Sequence, residues 1–328
     1  MINFCLFGAG RIGTIHAANL ANHAGAKLRY VVDVSDEFAQ KLAGQYSAAV
    51  TSAEKALEDP DTHAVIIASS TDTHADLIQM AAAAGKAIFC EKPIDLSVER
   101  TRACIKSIKK AGITCMVGFN RRYDPNFNKV KAEIDSQVIG DVELVSITSR
   151  DPEPPPAKYA QSSGGLFRDM MIHDLDMARW LLGEEPIEVF ATASCLIDPE
   201  IGVMGDVDTA LVSLKTASGK LCQISNSRRA VYGYDQRIEV LGSKGMVQAE
   251  NQLADTVVVT NGQGALSAKN QHFFLERYAR AFRVELENFI GVVEGSEPPL
   301  ATEYDGLMAL LLADAAVKSV QLGQIVRL

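Results

Sequence analysis

The residues Ile2-Asn-Phe-Cys-Leu-Phe-Gly-Ala-Gly-Arg-Ile-Gly13 decide the fold of the first part of the chain. An apolar run leads into a G-x-G-x-x-G pattern, and residues 12–24 follow with helical spacing. A second apolar run, Lys27–Val32, ends at Asp33, 20 positions after Gly13. This order of strand, glycine turn, helix, strand and acidic residue is typical of the start of a Rossmann fold.

The alternation of strand and helix continues to about residue 120. Ala64–Ala68, Ala87–Cys90 and Thr114–Val117 are short apolar runs, typical of strands buried on both faces. Helices are predicted between them at 36–45, 52–57, 73–84 (with Thr73 as N-cap) and 97–111. Because parallel strands covered by helices form a doubly wound sheet, we predict a Rossmann domain in residues 1–120.

The pattern changes after residue 120. Several apolar runs between Ile187 and Thr260 follow one another with glycine-rich turns and no helix between them, which indicates an antiparallel sheet. Helices are predicted at Phe127–Ile134, at Asp169–Leu182, along an apolar stripe from Phe274 to Val293, and at Thr302–Leu322. Residues 121–328 are therefore predicted to form a second α/β domain.

The composition excludes several classes of protein. The net charge of −9 argues against a nucleic-acid partner, because phosphates require a basic face. The N-terminus lacks the pattern of a secretory signal, and the apolar stretch Leu307–Val317 is broken by Asp314 and too short to cross a bilayer. Six cysteines without a C-x-x-C pair are typical of free thiols in a reducing compartment. We therefore expect a cytoplasmic protein without a membrane partner.

Each position of the glycine motif has a physical reason. Gly8 allows the tight turn, Gly10 lets a pyrophosphate approach the backbone, and Gly13 lets helix and strand pack closely. The helix that opens at Arg11 and Ile12 would present its N–H groups to the phosphates.

Asp33 indicates which dinucleotide binds. Its carboxylate can accept hydrogen bonds from the adenosine ribose and would repel a 2′-phosphate, and residues 34–36 supply no arginine. The sequence therefore predicts NAD rather than NADP. A flavin dinucleotide, or a glycine turn that binds nothing, is the alternative that the motif leaves open.

Small hydroxyl residues follow the strand Ala64–Ala68, at the edge where a doubly wound sheet binds its cofactor. We predict that Ser69 and Thr71 approach the cofactor closely. His74 is predicted either to contact the cofactor or to have a structural role at the start of the next helix.

Two further stretches carry groups suited to proton chemistry. Lys92 follows the strand Ala87–Cys90, where its charge could stabilise an alkoxide, although a lysine there can equally be a surface residue. Asp169 and His173 are four residues apart and would share a helix face. The carboxylate would then hold the imidazole in one tautomer and stabilise its protonated form, which suits a general base. A surface ion pair or a zinc site is the alternative; since no cysteine lies near them in sequence, we predict no metal.

Four motifs occur in order: Gly8–Gly13, Glu91–Pro93, Gly118–Tyr123, and Gly164-Gly165 followed by Asp169 and His173. Together they resemble the glucose–fructose oxidoreductase/inositol dehydrogenase/rhizopine catabolism family over nearly the whole chain. The tract from Ser225 to Gln236 is most similar to the bacterial inositol dehydrogenases of that family.

The resemblance implies a Rossmann domain followed by an α/β domain with a large open, mostly antiparallel sheet. Family members usually form dimers or tetramers through that sheet, so a homo-oligomer, such as a homotetramer, is expected. The resemblance also implies that Lys92, Asp169 and His173 are the catalytic set.

The same resemblance suggests that the catalytic set contacts the substrate together with Arg122 and Tyr234, for which Arg121 and Tyr232 are adjacent alternatives. Within the shared motifs, we also predict contacts to the cofactor from Glu91, Lys92 and Asn120. No role is assigned to the loop Asp151–Pro156.

The resulting hypothesis is NAD-dependent oxidation of one secondary alcohol of a cyclic polyol, with myo-inositol as the first candidate. The enzymatic alternative is another substrate, such as scyllo-inositol, chiro-inositol or an aldose. A non-catalytic NAD sensor is an alternative of another class, and the retention of Lys92, Asp169 and His173 argues against it.

Overall fold

The computed structural model describes residues 1–156, 159 and 163–328. The chain divides into two units, Met1–Tyr123 with Arg280–Leu310 and Asp124–Ala279 with Leu311–Leu328. The first change of unit, after Tyr123, is close to the predicted boundary at residue 120. The structure differs from the predicted division in the later part of the chain, because Arg280–Leu310 returns to the first unit.

The first unit contains a six-stranded parallel sheet, and its central strands are almost fully buried. Across the sheet the strands are β3 (Ala49–Val50), β2 (Ala26–Val32), β1 (Ile2–Phe7), β4 (Ala64–Ile67), β5 (Ala87–Glu91) and β6 (Cys115–Gly118). The order reverses between β1 and β4, and a doubly wound sheet binds its ligand at the carboxyl ends of such strands. The predicted Rossmann fold is confirmed.

Helices connect these strands: α1 (Arg11–Ala21), α2 (Asp36–Gln45), α3 (Ala53–Glu58), α4 (Thr71–Ala83) and α5 (Val98–Ala111). Serine hydroxyls cap α2, α3 and α5 by accepting a backbone N–H bond, as expected of N-cap residues. The prediction of Thr73 as the N-cap of α4 is wrong. Ser70 occupies that position, and the Thr73 hydroxyl donates to the Ser70 carbonyl oxygen at 2.7 Å.

The second unit contains a seven-stranded mixed sheet. Across it the strands are β12 (Gly245–Ala249), β11 (Asp235–Gly242), β7 (Val142–Arg150), β10 (Leu221–Ser227), β9 (Thr209–Thr216), β8 (Pro186–Ser194) and β15 (Val326–Arg327). Its neighbours pair antiparallel except β7 and β10, which are parallel. The mostly antiparallel sheet is confirmed, although β13 (Val258–Asn261) and β14 (Gly264–Ser267) form a separate hairpin.

The helices that the structure describes wholly within the second unit are α6 (Pro125–Asp135), α7 (Ile172–Leu182), α8 (Pro199–Val203) and α9 (Phe274–Arg277). The predicted helix start at Asp169 is wrong, because Asp169 lies in a π-helical turn, Leu166–Met170, that precedes α7. The expectation of no helix between the strands is also wrong, since α8 separates β8 from β9.

The segment that returns to the first unit includes most of α10 (Ala279–Glu294) and the start of α11 (Glu303–Leu322). Phe289 of α10 packs against Phe4 and Phe89, with ring centroids 6.1 and 5.6 Å apart. The predicted continuous helix from Phe274 to Val293 is interrupted at Tyr278, between α9 and α10.

All six cysteines are free thiols, as predicted. Burial raises the pKa of Cys5, Cys90, Cys115 and Cys222, so these side chains remain protonated and pack as small apolar groups. Among the described residues, no helix is both long and apolar enough to span a membrane.

Candidate dinucleotide site and catalytic residues

The glycine motif follows β1 and forms the turn that starts α1. Gly8 has a φ of +100°, a conformation that L side chains rarely adopt. A Cβ at Gly13 would lie 1.9 Å from the carbonyl oxygen of Gly8, so only glycine permits this approach of helix and turn. At Gly10 a Cβ would meet no protein atom within 4 Å. The space beside Gly10 is therefore open, as a pyrophosphate that approaches the backbone requires.

The N-terminus of α1 suits an anion. Gly10 occupies the N-cap, no side chain caps the helix, and its first turn contains no acidic residue. The first backbone N–H groups of a helix have no partner within the helix, and together with the helix dipole they attract negative charge. The turn and helix start, including Arg11 and Ile12, thus fit the phosphates of a dinucleotide.

Asp33 follows β2 and is hydrogen-bonded to the glycine turn. Its Oδ2 accepts from the backbone N–H of Ala9 at 2.6 Å, and its Oδ1 accepts from that of Ser35 at 2.8 Å. Each carboxylate oxygen can accept a second bond, so the side chain keeps capacity for ribose hydroxyls. Asp33 therefore braces the turn in addition to its predicted role at the ribose.

The loop between β4 and α4 holds the three predicted residues Ser69, Thr71 and His74. The Ser69 hydroxyl is 2.7 Å from that of Thr73, and Thr71 is the first residue of α4. His74 is buried, with Nδ1 2.8 Å from the carbonyl oxygen of Pro93 and Nε2 3.1 Å from that of Ser69. Both ring nitrogens of His74 therefore face protein carbonyls, which favours the structural alternative of the two considered for this residue.

The stretch after β5 contains Glu91 and Lys92, and the Lys92–Pro93 peptide is cis. Glu91 Oε1 lies 2.7 Å from Nε2 of the buried His16 in α1. Asn120, in the 3₁₀ turn after β6, is buried, and its Oδ1 has no hydrogen-bond partner among the described residues. Such a buried polar atom suits a ligand group, which supports the predicted contact between Asn120 and the cofactor.

Glu285 on α10 is a buried acid in the first unit that the sequence did not reveal. Its side chain is 0% exposed, and in the described part of the chain neither carboxyl oxygen has a hydrogen-bond partner. Burial raises the pKa of Glu285 well above its usual range, and the negative charge of Glu91 raises it further. The carboxyl group therefore keeps its proton to a higher pH than an exposed glutamate does.

Asp169 and His173 lie in the second unit, on either side of the start of α7. Asp169 Oδ1 accepts a hydrogen bond from the Tyr159 hydroxyl at 3.2 Å, and its Oδ2 is 4.0 Å from the Arg228 guanidinium. His173 is the second residue of α7. Lys92, the third predicted catalytic residue, belongs to the first unit.

Several residues that support Asp169 and His173 were not predicted. Asp206 accepts the backbone N–H of Leu166 at 3.0 and 3.1 Å and so caps the π-helical turn, and Arg228 lies 3.8 Å from Asp206. Asn226 at the end of β10 donates to Asp174 at 3.0 Å. The two hydrogen-bonded pairs are 40 or more residues apart in sequence and Arg228 is 22 residues from Asp206, so no local pattern could have paired them.

The predicted substrate residues Arg122 and Tyr234 are both buried. Arg122 donates to the carbonyl oxygen of Leu300 at 2.7 Å and to Asp305 at 2.9 Å, within the first unit. Tyr234 packs edge-on against Phe273 in the second unit. Of the alternatives, Arg121 is also buried, whereas Tyr232 is partly exposed and donates to Asp235 at 2.7 Å.

Two family models match the chain. The oxidoreductase family model with an NAD-binding Rossmann fold matches residues 2–119, and the GFO/IDH/MocA C-terminal domain model matches residues 127–248. The chain belongs to the GFO/IDH/MocA family. The resemblance found in the sequence is thereby confirmed.

Several named proteins match nearly the whole chain. An inositol 2-dehydrogenase from Rhizobium meliloti (strain 1021) is 53% identical over 319 residues, which is 97% of each chain. A myo-inositol dehydrogenase structure from Corynebacterium glutamicum has a TM-score of 0.96 and 41% identity, covering 100% of this chain and 99% of that one. A scyllo-inositol dehydrogenase from Lactobacillus casei with bound NAD(H) and scyllo-inositol has a TM-score of 0.92 and 30% identity, with coverage of 100% and 99%.

As a GFO/IDH/MocA protein, the chain is an oxidoreductase with an NAD-binding Rossmann domain. The predicted enzyme class and cofactor are therefore confirmed. The glycine turn suits this cofactor, because the space at Gly10 is open and no side chain caps the start of α1.

Proposed function

We propose that this chain is an NAD-dependent inositol dehydrogenase that oxidises one secondary alcohol of myo-inositol to give 2-keto-myo-inositol. The observation that carries the proposal is the 53% identity with an inositol 2-dehydrogenase over 97% of both chains. A similarity of this extent covers both units of the structure. The second unit is proposed to supply groups for substrate binding and for oligomerisation.

In the proposed reaction, an imidazole nitrogen of His173 takes the proton of the substrate hydroxyl. A neutral imidazole is suited to this step near neutral pH. Asp169 stabilises the imidazolium that forms. The Arg228 guanidinium, 4.0 Å from Asp169 and 3.8 Å from Asp206, holds this carboxylate beside the turn that Asp206 caps.

Lys92 donates a hydrogen bond to the same substrate oxygen and stabilises its developing negative charge. Bound NAD would supply the acceptor for the hydride that leaves the carbinol carbon. Residues Gly8–Gly13 would hold the pyrophosphate of NAD and Asp33 the adenosine ribose, with further contacts from Ser69, Thr71, Glu91, Lys92 and Asn120. Arg122 and Tyr234 remain the proposed additional substrate residues, and the bonds from Arg122 to Leu300 and Asp305 indicate that it also braces the first unit.

Turnover with a panel of polyols tests the substrate. The purified protein is assayed by NADH absorbance with myo-, scyllo- and chiro-inositol and with glucose at equal concentrations. We expect the highest kcat/KM for myo-inositol. NAD binding without NADH formation from any of these compounds would contradict the proposal and favour a sensor.

Scyllo-inositol is the second candidate substrate, because the similar Lactobacillus casei enzyme was crystallised with it. Isomers of inositol differ only in the orientation of hydroxyl groups, so a few hydrogen bonds decide between them. A higher kcat/KM for scyllo-inositol than for myo-inositol in the panel would select this candidate.

Variants test the assigned groups. Lys92→Ala and His173→Ala should each lower kcat by roughly 10²–10⁴-fold, the usual effect of removing a positioned acid–base group. In wild type the oxidation rate should rise with pH as the base loses its proton, and this rise should disappear in His173→Ala. The exposed Lys55 and His272 provide matched controls, Lys55→Ala and His272→Ala, which should retain normal turnover.

His173→Asn separates binding from proton transfer, because an amide can hold a hydroxyl but cannot take its proton. We expect it to be as slow as His173→Ala. An Asn variant with most of its activity would restrict His173 to substrate binding and make Lys92 the base.

We also propose that the protein is a cytoplasmic homo-oligomer, a dimer or a tetramer. Its free cysteines support the compartment. Apolar side chains on the outer face of the second sheet, including Phe190, Leu211 and Leu221, support self-association through that face. Light scattering coupled to gel filtration gives the mass, and a monomer at micromolar concentration would contradict this part of the proposal.

A further inference from the structure

Lys92 lies in a turn whose two flanking residues are each contacted by a buried histidine of the first unit. Glu91 precedes it and contacts His16, and Pro93 follows it and contacts His74. Neither histidine has a part in the proposed chemistry. Both are almost fully buried, at 0% and 1% exposure.

His16 ties Glu91 to the helix that starts at the glycine turn. It lies on α1 three residues after Gly13, and its Nε2 is 2.7 Å from Glu91 Oε1. A carboxylate can only accept, so Nε2 carries the hydrogen of this bond. The ring is fixed edge-on against Phe89, with centroids 5.0 Å apart.

Gly118 on β6 confines the same carboxylate from its other side. A Cβ at residue 118 would lie 2.8 Å from Glu91 Oε2, so the carboxylate packs directly against the glycine backbone. The Glu91 carboxylate therefore lies between the His16 ring and the backbone at Gly118. This leaves little freedom for the residue that directly precedes Lys92.

His74 ties Pro93 to the loop that begins α4. Its Nδ1 is 2.8 Å from the Pro93 carbonyl oxygen and its Nε2 is 3.1 Å from that of Ser69. Burial lowers the pKa of His74, so the ring is neutral at pH 7 and carries a single N–H. This N–H is best placed on Nδ1, because the contact of Nδ1 with the Pro93 carbonyl oxygen is the shorter of the two.

We propose that His16 and His74 are positioning residues, which hold the Lys92 turn and couple its placement to the two loops assigned to NAD. This inference rests on the proposed role of Lys92. His16 connects the Lys92 turn to the glycine turn through α1, and His74 connects it to the Ser69 loop. A displacement of either loop therefore also moves the lysine. Coupling of this kind is reciprocal, and loss of either histidine therefore weakens NAD binding as well as turnover.

Leucine and glutamine variants of both histidines test the proposal. His16→Leu and His74→Leu remove the hydrogen bond, and kcat should fall roughly 10- to 100-fold, the effect of a displacement of about 1 Å, while KM for the polyol changes little. His16→Gln and His74→Gln keep an N–H donor and should recover much of kcat. If a leucine variant fails to fold, the glutamine variant at the same position still tests the proposal. Glutamine variants that fold but are as slow as the leucine variants would overturn the proposal.

A double variant shows whether His74 acts through the lysine. Lys92→Ala with His74→Leu should be no slower than Lys92→Ala alone, because the placement of an absent lysine has no further effect. An additional loss as large as that of His74→Leu in wild type would overturn the positioning role. Near-normal turnover of Lys92→Ala would instead refute the proposed function of Lys92, so the two failures are distinguishable.

NAD affinity gives a readout independent of turnover. Calorimetry on the protein without substrate should show a Kd for NAD raised roughly 3- to 10-fold in both leucine variants, within the usual range of coupling between sites. His63→Leu is the matched control, since His63 is an exposed histidine of the same unit that accepts a bond from the Asn3 backbone. An NAD affinity unchanged in both leucine variants would overturn the coupling to the loops.

Discussion

Alanine substitutions at two glycines of the same turn should separate packing from cofactor binding. In Gly13→Ala the new Cβ would lie 1.9 Å from the Gly8 carbonyl oxygen, and real Cβ atoms stay beyond 3.0 Å. The backbone must therefore move by roughly 1 Å, because a carbonyl group cannot rotate away as a flexible side chain can. Gly10→Ala introduces a Cβ with no protein atom within 4 Å, at a φ of −75° that alanine adopts readily.

The expected cost of Gly13→Ala follows from these distances. Overpacking of this kind costs about 3 kcal/mol, and the better helix propensity of alanine offsets about 1 kcal/mol. A net loss of about 2 kcal/mol corresponds to a Tm lower by roughly 4–8 °C for a unit of this size. Gly10→Ala should change stability by less than about 0.5 kcal/mol. It should nevertheless weaken NAD binding by roughly tenfold or more, because its methyl group occupies the space assigned to the pyrophosphate.

The two effects are measured by thermal unfolding without NAD and by calorimetric titration with NAD. A Gly13→Ala protein with the wild-type Tm would show that the turn relaxes without cost and would refute the packing argument. Wild-type NAD affinity in Gly10→Ala would show that the pyrophosphate does not bind beside Gly10. Wild-type and Gly10→Ala proteins with equal Tm serve as the control for the first measurement.

Three further perturbations test other parts of the structure. Asp33→Ser removes a ribose acceptor and a charge that repels a 2′-phosphate, so the ratio of kcat/KM for NADP to that for NAD should rise; an unchanged ratio would contradict this role. Glu285 keeps its proton in the folded protein at a pH where the unfolded chain, with the ordinary value of 4.5, has lost it. Stability therefore falls as pH rises above the ordinary value of 4.5, by up to about 1.4 kcal/mol per pH unit, and the Tm advantage of Glu285→Gln over wild type should grow as pH rises from about 5. Asp124→Ala leaves the buried Arg277 without its carboxylate partner and should cost roughly 3–5 kcal/mol in urea unfolding, whereas a loss below about 1 kcal/mol would show that the pair is not needed.

The sequence was most informative about the first unit because its signals are local. Five apolar runs, a glycine motif and Asp33 each act over a few residues, and parallel strands covered on both faces have a distinctive composition. The turn that holds Lys92 could be located in this way. His16 could have been noticed as a polar residue on the inner face of α1, and Glu285 as an acid within the apolar stripe of α10.

The remaining features depend on contacts between distant parts of the chain. The parallel pairing of β7 with β10 follows from the sheet as a whole, and no residue within either strand signals it. The π-helical turn before α7 is stabilised by Asp206, 40 residues away, so the helical spacing of Asp169 and His173 suggested a regular helix instead. The role of Arg228 likewise depends on the carboxylates of Asp169 and Asp206, which only the folded chain places near it.

The return of Arg280–Leu310 to the first unit has a consequence for how the chain is made. During synthesis, residues 1–123 emerge long before the segment that supplies Phe289 to their core and the acceptors of Arg122 at Leu300 and Asp305. Until then the nascent sheet exposes apolar surface that the finished protein covers, a situation that invites chaperone binding or aggregation. The Rossmann unit, although first in the sequence, can therefore reach its final form only when nearly the whole chain has left the ribosome.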